Sequence, residues 1–171
     1  MLITEPYRDQ YRQLYATEQY GGRGFRWTRE ADRLLTKTGC RTVIDYGCGQ
    51  GSLGASLERL GYTVRYYDPA FPALSAPTQG VCDGIVCTDV LEHVEPQCLA
   101  SVLGHIRSLM GKAGLFVIST RPAKRRLPNG TDPHLLVKRS DWWIERLLEH
   151  GLAPTLRRDL SSRHECVLEA T

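Results

Sequence analysis

One stretch constrains this chain more than any other: Val43-Ile44-Asp45-Tyr46-Gly47-Cys48-Gly49-Gln50-Gly51-Ser52. Thr42 to Tyr46 is a short β-branched run that reads as a buried strand. Ser52 to Leu60 reads as a helix, with Leu53, Leu57 and Leu60 on one face and Gly61 as its stop. Between them, glycines at 47, 49 and 51 let the backbone turn tightly and approach a ligand closely. The free N–H groups at the start of the helix then point at that ligand.

The rest of the chain continues the alternation. Strands are expected at Thr63 to Tyr67, Gly84 to Thr88 and Leu115 to Thr120, and helices at Gln97 to Met110 and Ser140 to His150, the last capped by Ser140-Asp141. Two short strands, Thr155 to Asp159 and Cys166 to Glu169, close the sequence without a helix between them. Ahead of the glycine loop, Tyr7 to Tyr20 and Trp27 to Thr38 read as helices separated by Gly21-Gly22-Arg23-Gly24. Residues 70–80 and 121–137 read as loops. The pattern predicts an α/β fold with about six strands, mostly parallel with an antiparallel C-terminal strand. It also predicts one domain over 1–171, with a helical cap at 1–38 and a core at 39–171.

Asp68 closes the second strand, 17 residues after Gly51, where a carboxylate can accept both hydroxyls of a ribose. The D-x-G-x-G-x-G loop lacks the third glycine of the dinucleotide-binding G-x-G-x-x-G. It resembles the nucleotide-binding loop of class I S-adenosylmethionine (SAM)-dependent methyltransferases, and the resemblance continues through Cys82 to Val94, with its D-V-L-E-H turn. That resemblance implies a Rossmann-like doubly wound sheet with SAM as cofactor. It implies that Asp45, Gly47, Cys48, Gly49 and Gly51 frame the amino-acid and sugar parts of SAM, that Asp68 holds the ribose, and that Asp89 lies near the transferable methyl. Only 14 residues separate Asp68 from Asp83, so one strand–helix unit of the family pattern is expected to be missing and its adenine contact is unassigned. Pro69, Ala70 and Phe71 are candidates for an apolar wall there.

Asp89, Glu92 and His93 lie within five residues, and His134 sits in the loop after the next strand. In a parallel sheet both loops open at the carboxyl ends of adjacent strands, so the four side chains can converge. The cluster has three readings. It can be helix-start and packing residues, it can offer His93 or His134 as general base to a hydroxyl, with Asp89 orienting the acceptor, or it can bind a divalent metal. The metal reading resembles ubiquinone-pathway O-methyltransferases and small-RNA 3′-terminal ribose methyltransferases, although Asp89 stands where those families carry Glu.

Arg121, Lys124, Arg125 and Arg126 open the long loop, and Lys138 and Arg139 close it. They read either as a clamp for a phosphate or carboxylate, or as a solvated charged loop. Of Trp142-Trp143, one is expected in the core, and the other, on a different side, is a candidate for the substrate mouth. Tyr7, Tyr11, Tyr15 and Tyr20 form a stripe expected to pack over the sheet or the cofactor.

A net charge of +3 is far from that of a dedicated nucleic-acid binder, so a small-molecule acceptor is favoured. No apolar stretch is long enough for a membrane span, and the oligomeric state is left open. The six cysteines form no C-x-x-C pair and read as reduced thiols, which predicts a cytoplasmic protein. The resulting expectation is methyl transfer from SAM to a hydroxyl or amine of a small molecule. The alternatives are a nucleotide or nucleic-acid ribose 2′-O methyltransferase, and a SAM-binding protein without catalysis.

Overall fold

Alternate side chains along the central strands feed two different cores. The computed structural model describes residues 1–17, 21–76 and 78–171. Six strands, β1 (Thr42–Tyr46), β2 (Thr63–Tyr67), β3 (Cys82–Thr88), β4 (Met110–Ser119), β5 (Pro154–Leu160) and β6 (Glu165–Ala170), form one sheet in the order β2-β1-β3-β4-β6-β5. β2, β1, β3 and β4 run parallel, whereas β6 is antiparallel to both its neighbours. Ile44, Ile85, Phe116 and Ile118 point to one face, under α4 (Leu99–Leu109) and α5 (Ser140–Glu149). Val43, Val86, Leu115 and Val117 point to the other, under α2 (Thr28–Lys37) and α3 (Ser52–Arg59). Each fully buried side chain of this kind contributes roughly 1.5–3 kcal/mol. Both faces are covered, which is why these strands read as near-continuous apolar runs.

The chain leaves β1 toward β2 on one side and returns to β3 on the other. The β1/β3 boundary is therefore the point where strand order reverses, and a crevice opens outside the carboxyl ends of those two strands. The glycine loop after β1 and the Asp89 turn after β3 flank it.

β2 is an edge strand, as the short Asp68–Asp83 interval predicts. In place of a further strand, the Arg65 guanidinium donates to the carbonyls of Gln79, Gly80 and Val81 and ties the connecting segment against the edge. That segment holds one 3-10 turn, Pro72–Leu74, and Pro77 lies outside the described residues.

Some local expectations need correction. β4 begins at Met110, directly after α4, instead of at Leu115. Gly111 and Gly114 hid its first half, since glycine is depleted in strands. A Cβ at Gly111 would sit 2.8 Å from the Cys82 carbonyl oxygen, so glycine is what allows β4 this close to β3. Ser140 does not cap α5. It is the buried first residue of that helix, and the N-cap is Arg139, with no side-chain capping bond.

The first helix, α1 (Glu5–Thr17), does not lie on the sheet. Its Tyr11 and Leu14 pack with Ala70 and Leu127, from the loops after β2 and β4, and so form one wall of the crevice. Tyr20 of the expected stripe lies outside the described residues. Among the described residues no helix is long and apolar enough to cross a membrane.

Candidate functional site

The crevice is a cavity of about 780 Å³, within the ~300–1,000 Å³ range of small-molecule sites. Its floor is the glycine loop. Gly47 and Gly49 have φ of 72° and 53°, the left-handed region that disfavours side chains. A Cβ at Gly47 would lie 2.4 Å from a Val90 methyl, and one at Gly49 2.7 Å from the Gly21 carbonyl oxygen. The close approach that glycine permits is thus partly to protein: Val90 braces one side of the loop and the segment at residue 21 the other. Cys48 and Gln50 still line the cavity. The Gly47 and Cys48 N–H groups donate to the Tyr67 carbonyl at 2.7 and 3.1 Å, fixing the loop to the end of β2.

Two buried carboxylates flank this floor. Asp45 Oδ2 accepts the Gly54 N–H of α3 at 2.8 Å. Burial pushes the Asp45 carboxyl up to about 7; the Gly54 N–H opposes the shift and the nearby Asp68 charge adds to it. Asp68 Oδ1 accepts the N–H groups of Ala70 and Phe71 at 2.9 and 3.1 Å. Its Oδ2 accepts the Gly49 N–H at 2.9 Å and the Tyr15 hydroxyl at 3.1 Å. Loop and strand-end carboxylate are therefore directly bonded, 19 positions apart in sequence. Tyr15 stands on the carboxylate as a ribose hydroxyl would. Burial raises the Cys48 thiol, which stays protonated.

Asp89, at the carboxyl end of β3, has φ of 56°, a left-handed conformation uncommon outside glycine. Its N–H donates to the Val117 carbonyl at 2.8 Å. Both carboxylate oxygens accept from Arg26 Nη2, at 3.0 and 2.8 Å, and the same nitrogen reaches Glu165 of β6 at 2.7 Å. Burial raises both carboxyls, and Arg26 opposes the shift in each.

Beyond Asp89, a 3-10 turn carries Glu92 and His93. Glu92 is fully buried; Oε1 accepts the Ser119 N–H at 3.0 Å, and Oε2 has no hydrogen-bond partner among the described residues. Burial pushes its carboxyl well above the usual range. His134 meets His93 edge to face, with ring centroids 4.6 Å apart. His134 Nδ1 lies 2.6 Å from the Arg121 carbonyl, and His93 Nδ1 lies 3.0 Å from the Pro133 carbonyl. A carbonyl only accepts, so His134 carries a proton on Nδ1; His93 Nδ1 faces both the Pro133 carbonyl and, at 2.8 Å, the Tyr11 hydroxyl, which can either donate or accept. Burial holds His93 neutral by pushing it down to about 3. One ligand atom each from Glu92, His93 and His134 lie within 4.8 Å of one another, a set suited to a divalent cation. The backbone acceptors on both Nδ1 atoms are the support that metal-binding histidines use. Asp89, expected in the same ligand set, lies outside this group and is held by Arg26 instead.

Of the residues the sequence singled out, Asp45, Gly47, Cys48, Gly49, Asp68, Asp89, His93 and His134 line this cavity, whereas Gly51, which faces the Tyr66 ring, and the fully buried Glu92 do not. Sequence reasoning missed Arg26 and Glu165, whose pairing spans 139 positions and leaves no local pattern. The tyrosine stripe was visible but its targets were not. Tyr7 donates to the His93 carbonyl at 2.8 Å, Tyr11 lies 2.8 Å from His93 Nδ1, and Tyr15 binds Asp68. The tryptophan expectation is half right. Trp143 is fully buried in the core, but Trp142 is packed beside Lys138 and Arg146 over a separate shallow pocket with Leu99 and Leu136.

A protein family described as a methyltransferase domain matches residues 13–161. A ubiquinone biosynthesis O-methyltransferase from Paraburkholderia xenovorans (strain LB400) is 32% identical over 104 residues, covering 47% of this chain and 44% of that one. The match thus spans less than half the length of that relative. Among solved structures, the chain is similar to the Burkholderia thailandensis 1,6-didemethyltoxoflavin-N1-methyltransferase, solved with 1,6-didemethyltoxoflavin and S-adenosylhomocysteine. That likeness has a TM-score of 0.71 at 19% identity, over 99% of this chain and 90% of the other. It is also similar to the magnesium protoporphyrin IX methyltransferase of Synechocystis PCC 6803 with bound S-adenosylhomocysteine. There the TM-score is 0.65 at 19% identity, over 97% and 94% of the two chains. At these identities the structural likeness speaks for the fold.

Proposed function

Because the chain belongs to the methyltransferase-domain family, we propose that it binds SAM over its glycine loop and transfers the methyl group to a hydroxyl or amine of a small-molecule acceptor. One observation carries this. The carboxylates of Asp45 and Asp68 are buried beside the cavity with only N–H and O–H donors as partners, and no cation pairs with either among the described residues. Buried negative charge without a counter-ion favours a cationic ligand, and SAM brings both an ammonium and a sulfonium. The two solved relatives above contain the demethylated form of that molecule, which supports the same assignment.

Bound there, SAM supplies an activated methyl group that moves by in-line displacement at sulfonium, so the protein's work is alignment and proton removal. In this proposal Asp45, Gly47, Cys48 and Gly49 frame the amino-acid and sugar parts. Asp68 exchanges the Tyr15 hydroxyl for those of the ribose, and Pro69 and Ala70 wall the base. Asp89, oriented by Arg26, faces the acceptor. His134 is placed to take up the acceptor's proton, because burial keeps His93 from accepting one above about pH 3, and the two rings together can hold a metal. The unpartnered Glu92 Oε2 favours the metal, because a buried orphan carboxylate oxygen costs free energy unless something fills the vacancy. A divalent cation held by Glu92, His93 and His134 would polarise the acceptor and lower its pKa. Six free, buried thiols support a cytoplasmic location.

Calorimetry with SAM tests the cofactor assignment: micromolar binding is expected, abolished in Asp68→Ala. Absence of heat at high protein concentration refutes it.

A further inference from the structure

The cavity has two electrostatic ends. At the glycine loop stand Asp45 and Asp68. At the other end Arg121, Lys124 and Arg163 line the same space as His93 and His134. We infer that the methyl acceptor carries an anionic group, a phosphate or a carboxylate, held by Arg121, Lys124 and Arg163; this rests on the methyl-transfer function proposed above.

The acidic groups nearby already have their cation. Arg26 Nη2 contacts both Asp89 and Glu165. Arg121 and Arg163 come close enough to favour the charged form of Glu165. Among the described residues, however, neither they nor Lys124 has a carboxylate at ion-pair distance. Away from the glycine loop the cavity is lined by five cations, Arg26, Arg121, Lys124, Arg125 and Arg163, and three carboxylates, Asp89, Glu95 and Glu165, a surplus of two positive charges. A surplus inside a concave site focuses the field on a ligand. Guanidinium forks match the oxygen pairs of phosphate and carboxylate.

The backbone that carries these side chains is held in place, which separates this arrangement from a solvated charged loop. Asp132 Oδ1 accepts the Ala123 N–H at 3.2 Å and the His134 N–H at 2.9 Å, closing the loop across nine residues. The Arg121 carbonyl binds His134 Nδ1 directly. Arg163 projects from the tight turn between β5 and β6, where His164 has φ of 55°. The Thr120 N–H donates to the His164 carbonyl at 2.8 Å, which joins that turn to the start of the basic loop. Arg121 and Arg163 therefore rise from neighbouring backbone beside the histidine pair. An anion gripped here sets the acceptor's reacting group against His93 and His134.

Two measurements test this. The first needs no turnover: calorimetric titration of the cofactor-free protein with inorganic phosphate and, separately, with benzoate. Wild type should bind at least one of them at least tenfold more tightly than Arg121→Gln/Arg163→Gln, with a smaller loss in Lys124→Gln. All three positions are at least partly exposed, so thermal stability serves as the folding control. Equal affinity in wild type and double variant, or no binding of either anion, overturns the inference. Which anion binds identifies the class. The second compares matched acceptors in a labelled-SAM transfer assay: ribose with ribose 5-phosphate, and catechol with 3,4-dihydroxybenzoate. The anionic member should be methylated at least tenfold more efficiently, with the advantage lost through KM in the double variant. Equal transfer to the neutral members sinks the inference and leaves methyl transfer standing. A protein that binds no SAM sinks methyl transfer, and the phosphate titration still decides this point.

Discussion

Replacing Asp45 by asparagine should stabilise the cofactor-free protein at neutral pH while weakening SAM binding. Burial lifts the Asp45 carboxyl from 3.8 to about 7 in the folded state. Between those pH values the folded protein keeps a proton that the unfolded chain has released. Stability from this group is therefore greatest below 3.8, falls as pH rises through the interval, and is at its minimum above 7. A shift of roughly three units corresponds to a penalty of about 4 kcal/mol. Asparagine is nearly isosteric, its oxygen can still accept the Gly54 N–H, and it carries no charge to desolvate. For a chain of this length about 4 kcal/mol corresponds to ~8–16 °C in Tm. The assay is thermal unfolding of wild type and Asp45→Asn at pH 5 and pH 8, with and without SAM. The variant's advantage should be large at pH 8, smaller at pH 5, and reduced by SAM, whose positive charge offsets the penalty in wild type. A variant no more stable than wild type at pH 8, or an advantage independent of pH, would refute the claim that a buried, cation-free carboxylate prepares this site.

Gly49→Ala places a methyl 2.7 Å from the Gly21 carbonyl oxygen at a left-handed residue, which costs ~1–2 kcal/mol in backbone strain alone; calorimetry should show at least tenfold weaker SAM binding, and unchanged affinity would contradict the loop's role. Glu92→Gln keeps an acceptor for the Ser119 N–H but removes the anionic ligand oxygen. Titration with Mn²⁺ or Zn²⁺ should show binding in wild type and a loss of tenfold or more in the variant, and identical titrations would remove the metal site. His93, neutral down to about pH 3, should contribute no limb near pH 6.5 to the kcat/KM profile, so a limb that disappears in His93→Gln would contradict its burial. The same depression makes the stability contributed by His93 decline as pH drops from 6.5 toward 3, because only the unfolded ring takes up a proton.

What could be read from the sequence alone is what neighbours along the chain determine. A β-branched run, glycines at alternate positions and a leucine-faced helix specify the β1–loop–α3 unit, because backbone conformation there is a local matter of sterics and periodicity. The acidic residues ending β1, β2 and β3 follow from the same strand limits, and so does the position of Glu92 and His93 one turn beyond. The loss of one strand–helix unit after β2 was legible too, since the 14 residues between Asp68 and Asp83 are proline-rich and show no helical period.

Only tertiary structure decided the partners. Whether Asp89 would bind a metal or an arginine depended on Arg26, 63 positions away, and Arg26 in turn on Glu165. Tyr11 and Tyr15 reached His93 and Asp68 because α1 packs on the loops after β2 and β4 instead of on the sheet. Among the described residues Glu92 keeps one oxygen without a hydrogen-bond partner, while the Ser119 N–H of β4 donates to the other. Polar pairs of this kind have no period and no spacing rule. Their energies come from distance and desolvation, quantities that exist only once the chain has closed on itself.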